Sequence, residues 1–193
     1  GTVDGGTNPS GITGYEVTIS STPSGSWSTW PADDEWDLST EFDSGGDEEK
    51  TVYLHVRDAA GNTSSVTADN QDTVIYDTTP PSIATFSFDN NYANAGDIGA
   101  VPIDVTLVEA DVSGVTHYGL TTTGNVGDVS WTSCSGLPST VNMTGASQGS
   151  DEYYLHLRDA VGNAAATSTA SDTITVDTNP PTAVVDIVPA AVN

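Results

Sequence analysis

The sequence predicts an all-β chain of tandem sandwich domains, and three observations carry that prediction. Thr, Ser, Gly, Val and Asp dominate, and Lys50 is the single lysine, so the Ala, Leu, Glu and Lys stock of long helices is missing. Hydrophobic residues make up 36% of the chain and fall in short alternating runs, which is enough apolar surface to bury a core despite the acidity. A segment then repeats almost unchanged about a hundred residues later, the size of one β-sandwich module.

The repeat reads Tyr53-Leu54-His55-Val56-Arg57-Asp58-Ala59-Ala60-Gly61-Asn62 and returns as Tyr154-Leu155-His156-Leu157-Arg158-Asp159-Ala160-Val161-Gly162-Asn163. Ser10 to Tyr15 returns as Ser113 to Tyr118, Asp77 to Pro81 returns as Asp177 to Pro181, and Trp30 is matched with Trp131. A period this long is too large for a propeller blade or a leucine-rich repeat. It fits an immunoglobulin-like Greek-key sandwich.

One period, read from Pro81, gives the strands in order. Ile83 to Phe88 is the first, and Ile103, Val105 and Leu107 alternate with Asp104 and Thr106 in the second. Val115 to Thr121 is the third, the region of Trp131 the fourth, and Val141 to Thr144 a weak fifth. In the sixth, Tyr153, Leu155 and Leu157 alternate with Tyr154, His156 and Arg158, which predicts a half-buried strand with its polar set outward. Ala-Val-Gly-Asn makes the next turn, since Gly and Asn tolerate positive φ, and Ile174 and Val176 belong to the seventh strand.

Asp-Thr followed by paired prolines ends each period. Proline fixes φ and removes a donor, so these segments stop the last strand and stiffen the join. The division that follows is 1–79, a repeat without its first strands; 80–179, a complete repeat; and 180–193, the first strand of a further repeat or a donor strand, with Thr182 to Val188 as its core. The chain does not begin with Met, which is expected of a mature product or an excised piece. It shows no signal peptide and no apolar run near the ~20 residues that span a bilayer.

Charge narrows the partners. Asp and Glu number 27 against 3 Lys and Arg, a formal net charge of −24, so nucleic acid and anionic membranes are disfavoured. What such a surface attracts is cations, and Ca²⁺ prefers several carboxylate and carbonyl oxygens in one place. The topology of the expected sandwich brings together Asp77 from the linker, Glu109 and Asp111 after the second strand, and Asp159 with Asn163 in the sixth-to-seventh turn. Asp58, Asn62 and Asp4 form the corresponding half at the start of the chain, and Asp177 supplies the linker acid at its end. The competing reading is local: Asp159 and Asn163 cap a tight turn, and Asp77 merely ends a strand.

These elements resemble the bacterial Ig-like repeats of giant secreted adhesins, whose modules close with an Asp-Ala-Ala-Gly-Asn turn and an Asp-Thr-Thr-Pro-Pro linker. The resemblance covers essentially the whole chain, with Val161 and Asn179 as departures that remove no carboxylate. It implies extender modules of an extracellular surface protein, stiffened by Ca²⁺ at their junctions and partnered by neighbouring repeats or protomers, with host or cell-surface glycans or proteins as further partners.

Other constellations point away from chemistry. The acidic run Asp33 to Glu49 is interrupted by Trp36, Leu38 and Phe42, so it does not follow an EF-hand loop and reads as a solvated segment. His55 and His156 are expected to point outward in cross-strand pairs, and with only His117 to add, zinc is not expected. Cys134, alone, forms no intrachain disulfide and reads as a buried small hydrophobe. No zinc-protease helix or phosphate loop is present, and no catalysis is expected. Trp27 and Trp36, without repeat partners, leave a carbohydrate-binding module as an alternative, and Thr182 to Val188 leaves a filament joined by strand addition as another.

Overall fold

The computed structural model describes residues 10–29 and 46–184, and every described strand belongs to an antiparallel or mixed β-sheet. The chain divides into two compact units, Gly1–Thr79 and Pro80–Asn193.

In the first unit, β1 (Ile12–Thr18), β2 (Glu48–Asp58) and β3 (Gln71–Tyr76) form one antiparallel sheet in the order β1-β2-β3. Its apolar residues are only partly covered, and its buried side chains are polar or charged: Glu16, Thr18, Lys50 and His55.

The second unit has two sheets. β4 (Ile83–Phe88), β6 (Val101–Leu107) and β9 (Thr140–Val141) make one, in the order β4-β6-β9. β5 (Tyr92–Ala93), β7 (Val115–Thr121), β8 (Thr132–Ser133), β10 (Gly149–Asp159) and β11 (Ser171–Val176) make the other, in the order β5-β11-β10-β7-β8. Both sheets feed one core: Phe86, Phe88, Val101, Ile103 and Val141 from the first, Leu155, Leu157, Ile174 and Val176 from the second. At about 25 cal/mol per Å² of apolar surface, that burial is the main driving force for folding of this unit.

Seven strands were expected in this period, and the described residues hold an eighth. After β4 the chain turns, and Tyr92–Ala93 pairs parallel to Thr175–Val176, so a single passage of chain serves both sheets. Two residues in an Asn-rich stretch carry no periodicity, which is why alternation does not predict them. Of the expected strand Thr182 to Val188, residues 182–184 carry no strand and the rest lies outside the described residues.

The two units share their ladders pair for pair. Tyr53 faces Gln71 as Tyr154 faces Ser171, Glu48 faces Tyr76 as Gly149 faces Val176, and Tyr15 faces Val56 as Tyr118 faces Leu157. The bridges Arg57–Thr63 and Arg158–Ala164 also correspond. These registers correct the tryptophan pairing. Tyr15 bridges Ser28 and Tyr118 pairs with Thr132, so Trp27, not Trp30, stands where Trp131 stands; Trp30 lies outside the described residues.

Candidate functional site

The turn after β2 and β10 is built the same way in both units. Asp58 Oδ1 accepts the Asn62 N–H at 2.8 Å and Oδ2 accepts Asn62 Nδ2 at 2.8 Å. Asp159 does the same with Asn163, both at 2.8 Å, and adds the Gly162 N–H at 2.7 Å. Gly61 and Gly162 hold φ of 91° and 103°, which a residue with a Cβ rarely adopts. The side chain thus ties the aspartate to its own turn, as the capping alternative expects. Hydrogen bonds from Asn62 lower the Asp58 carboxyl below its ordinary range, against a smaller opposing effect of burial.

The two turns differ in cover. Asp58 is half-buried, whereas Asp159 is 1% exposed. Beside Asp159 comes the loop after β6. There Asp111 Oδ1 accepts the Gly114 N–H at 2.8 Å, and Asp111 and Asp159 offer carboxylate oxygens within 4.8 Å of one another. Glu109, also expected here, is exposed and is not among the converging carboxylates. In the first unit Asp77 accepts the Thr79 N–H at 3.1 Å, and in the second the exposed Asp177 accepts the Asn179 N–H at 3.1 Å. Asp4 lies outside the described residues.

A second correspondence ties each linker to its sheet. Thr78 Oγ1 donates to Asp47 Oδ1 at 3.0 Å, and at the matching place Gln148 Nε2 donates to Thr178 Oγ1 while Thr178 N–H donates back to Gln148 Oε1 at 3.0 Å. The sequence repeat does not announce this staple, because an acid in one unit is an amide in the other.

The three basic side chains are all engaged. Lys50 is 5% exposed and lies 3.1 Å from Glu48. The guanidinium of Arg57 stacks 5.0 Å from the Trp27 ring centroid and that of Arg158 4.8 Å from Trp131. Both tryptophans are half-buried under their arginines, so they make no open aromatic platform; the exposed large aromatic among the described residues is Tyr92.

The histidines correct the expectation of an outward face. His55 and His156 are 0% and 3% exposed. Alternation places them on the face opposite Leu155, but the loops after β1 and β7 roof that face. His55 Nε2 lies 3.1 Å from the Ser20 carbonyl, and His156 Nε2 lies 3.0 Å from Thr121 Oγ1. A carbonyl only accepts, so the His55 Nε2 bears a proton, and among the described residues its buried Nδ1 has no hydrogen-bond partner. Burial pushes the His156 pKa down. Across the ladder His55 faces Glu16, whereas His156 faces Gly119. Glu16 is buried and takes the Ser24 and Gly25 N–H groups at 2.8 and 3.1 Å. Burial raises its pKa, but hydrogen bonds from Ser24 and Gly25, with attraction from His55, outweigh that and leave it lowered. Cys134 is half-buried, and burial pushes its thiol pKa up.

No protein-family model and no curated protein matches the chain. Among solved structures the chain is similar to SGBP-B of the Bacteroides ovatus mixed-linkage glucan utilization locus, in complex with a mixed-linkage heptasaccharide. The identity is 16% and the TM-score 0.25, over 90% of this chain and 40% of that one. A likeness that low carries no argument about fold or function.

Proposed function

We propose that the chain is a structural and adhesive piece of an extracellular surface protein or fibre, made of tandem Ig-like Greek-key sandwiches whose junction is stiffened by Ca²⁺. The observation that supports this reading most directly is the convergence of Asp111 with the buried Asp159 while every basic side chain has another partner. A carboxylate taken out of water beside a second carboxylate is costly unless positive charge compensates it.

The donor set fits a hard cation: oxygen ligands throughout, with no nitrogen or sulfur ligand in the group. Asp159 spends three acceptor sites on its own turn and Asp111 at least one on the Gly114 N–H, so these carboxylates supply a minority of the six to eight oxygens Ca²⁺ takes. In the proposal Asp111 and Asp159 hold the ion, the linker acid Asp77 is added from the sequence, and carbonyls and water complete the shell. When bound, the ion neutralises charges that otherwise repel. The chain's own part is to fix the two carboxylates through Asn163, Gly162 and Gly114, and to set each linker with the Asp47–Thr78 and Gln148–Thr178 staples. The role is mechanical rather than catalytic.

The test is thermal unfolding with CaCl₂ and with EDTA. A ligand present at a hundred times its Kd adds about 2.7 kcal/mol to the state that binds it. A midpoint raised by CaCl₂, with a smaller rise in Asp111→Asn, is the expected result. A midpoint indifferent to both additions would leave the acids as a solubilising surface.

A further inference from the structure

We infer that the second unit binds an ordered water at the Leu157 N–H, in a small cavity at the place where the first unit sets the hydroxyl of Ser64. The edge of β10 that turns away from β7 carries the argument. There the Leu155 N–H donates to the Ala170 carbonyl at 3.0 Å and the Asp159 N–H to the Asn163 carbonyl at 3.2 Å. Leu157 lies two residues from each, and amide directions alternate along a strand, so its N–H leaves by the same edge.

The first unit displays what meets an N–H at this position. Val56 faces Tyr15 as Leu157 faces Tyr118, so the two residues correspond. The Val56 N–H donates to Ser64 Oγ at 3.1 Å, and the Ser64 N–H donates back to the Val56 carbonyl at 2.9 Å. The bridges Arg57–Thr63 and Arg158–Ala164 set the returning segments alike, which matches Ser64 with Ala165. Ala165 has no hydroxyl to offer. A cavity of about 130 Å³ opens at that point instead, with Leu157 and Ala165 in its wall beside Ser82, His156, Thr167 and Thr169.

Burial and charge choose the occupant. Leu157 is 3% exposed, and a buried backbone N–H is almost always paired. None of the described residues in the wall carries a formal charge, in a chain of net charge −24, so an ion would find no counter-charge there. Water suits a small neutral space with a polar lining, since it needs about 30 Å³ and two to four polar partners. It would receive the Leu157 N–H and tie the returning segment to β10 between the direct bonds at Leu155 and Asp159. The serine of one unit is thus replaced by alanine and water in the other.

The experiment uses the full chain and Ala165→Ser, a change at an exposed position. A crystal structure at a resolution that shows waters is expected to place one about 2.7–3.2 Å from the Leu157 nitrogen. In Ala165→Ser the introduced hydroxyl is expected to take that place. Hydrogen exchange in solution is then expected to slow about tenfold at Leu157, as a direct hydrogen bond gained predicts, with Leu155 and Asp159 unchanged. No water at the nitrogen, a side chain of the protein in its place, or a water undisturbed in Ala165→Ser would overturn the proposal. So would exchange at Leu157 that is indifferent to the substitution.

Discussion

The two units carry the same antiparallel ladders and arrive at different interiors. In the second, a three-stranded sheet covers the ladder and Leu155, Leu157, Ile174 and Val176 are buried in one apolar core. In the first, Val52, Leu54 and Val74 are only partly covered, and the buried side chains are Glu16, Thr18, Lys50 and His55. Register therefore belongs to the strands themselves: turn chemistry and alternation set it alike in the ladder that the described residues cover with a second sheet and in the one that they do not. Burial belongs to the cover.

Cavity-forming substitutions should break this comparison most sharply. Leu155→Ala is expected to cost about 3 kcal/mol, as buried Leu→Ala changes do, while Leu54→Ala costs about 1 kcal/mol. Native-state hydrogen exchange on the two ladders measures each separately, and equal losses would mean that the first face is covered in solution. Next comes Gly119→Ala. A Cβ there would lie 2.4 Å from Val129 Cγ1 and 3.0 Å from the Ser130 carbonyl, an overpacking worth about 1–3 kcal/mol by denaturant unfolding. Its counterpart Glu16→Ala fills nothing and instead releases the Ser24 and Gly25 N–H groups, at about 1 kcal/mol.

Acid should separate the units by pH window. A histidine held neutral by burial costs stability once the unfolded chain binds its proton. The contribution of His156 is therefore intact above its unfolded value of 6.5 and erodes as pH falls from there towards its lowered folded value. Glu16 has a lowered carboxyl pKa, so its contribution is present above 4.5 and is lost as pH falls through the folded value. The second ladder is expected to loosen first on mild acidification, and His156→Gln should abolish that step in a hydrogen-exchange titration. Simultaneous loosening of both ladders near pH 6 would contradict it. The smallest effect should be shared: Arg57→Ala and Arg158→Ala each remove one guanidinium from a tryptophan face, about 0.5–1 kcal/mol apiece, visible as a change in indole fluorescence.

Much of this was legible because the chain repeats itself. The Asp-x-x-Gly-Asn segments marked the turns, and the Leu and Val positions of β2 and β10 marked the faces. What escaped is what alternation cannot encode. It says that His156 and Leu157 point to opposite sides, but not that a loop roofs the histidine side, so both histidines were assigned to solvent. Trp27 was missed because the spacing that relates Tyr53 to Tyr154 carries Trp131 back onto Trp30, whereas Tyr15 and Tyr118 are related by a longer spacing and the ladder follows theirs. Asp111 beside Asp159 was reachable only by assuming a topology, since the two are far apart in sequence.

The placement of the basic residues has one more effect. Lys50 and Arg57 lie within β2 and Arg158 within β10, each hydrogen-bonded into a ladder, with Lys50 buried and both arginines stacked on indole rings. An enzyme that cuts after lysine or arginine needs an extended, accessible segment, and this chain offers it none in a loop or a linker. Cleavage by trypsin would then have to wait for a whole ladder to open, so the digestion rate reads out sub-global unfolding rather than loop motion.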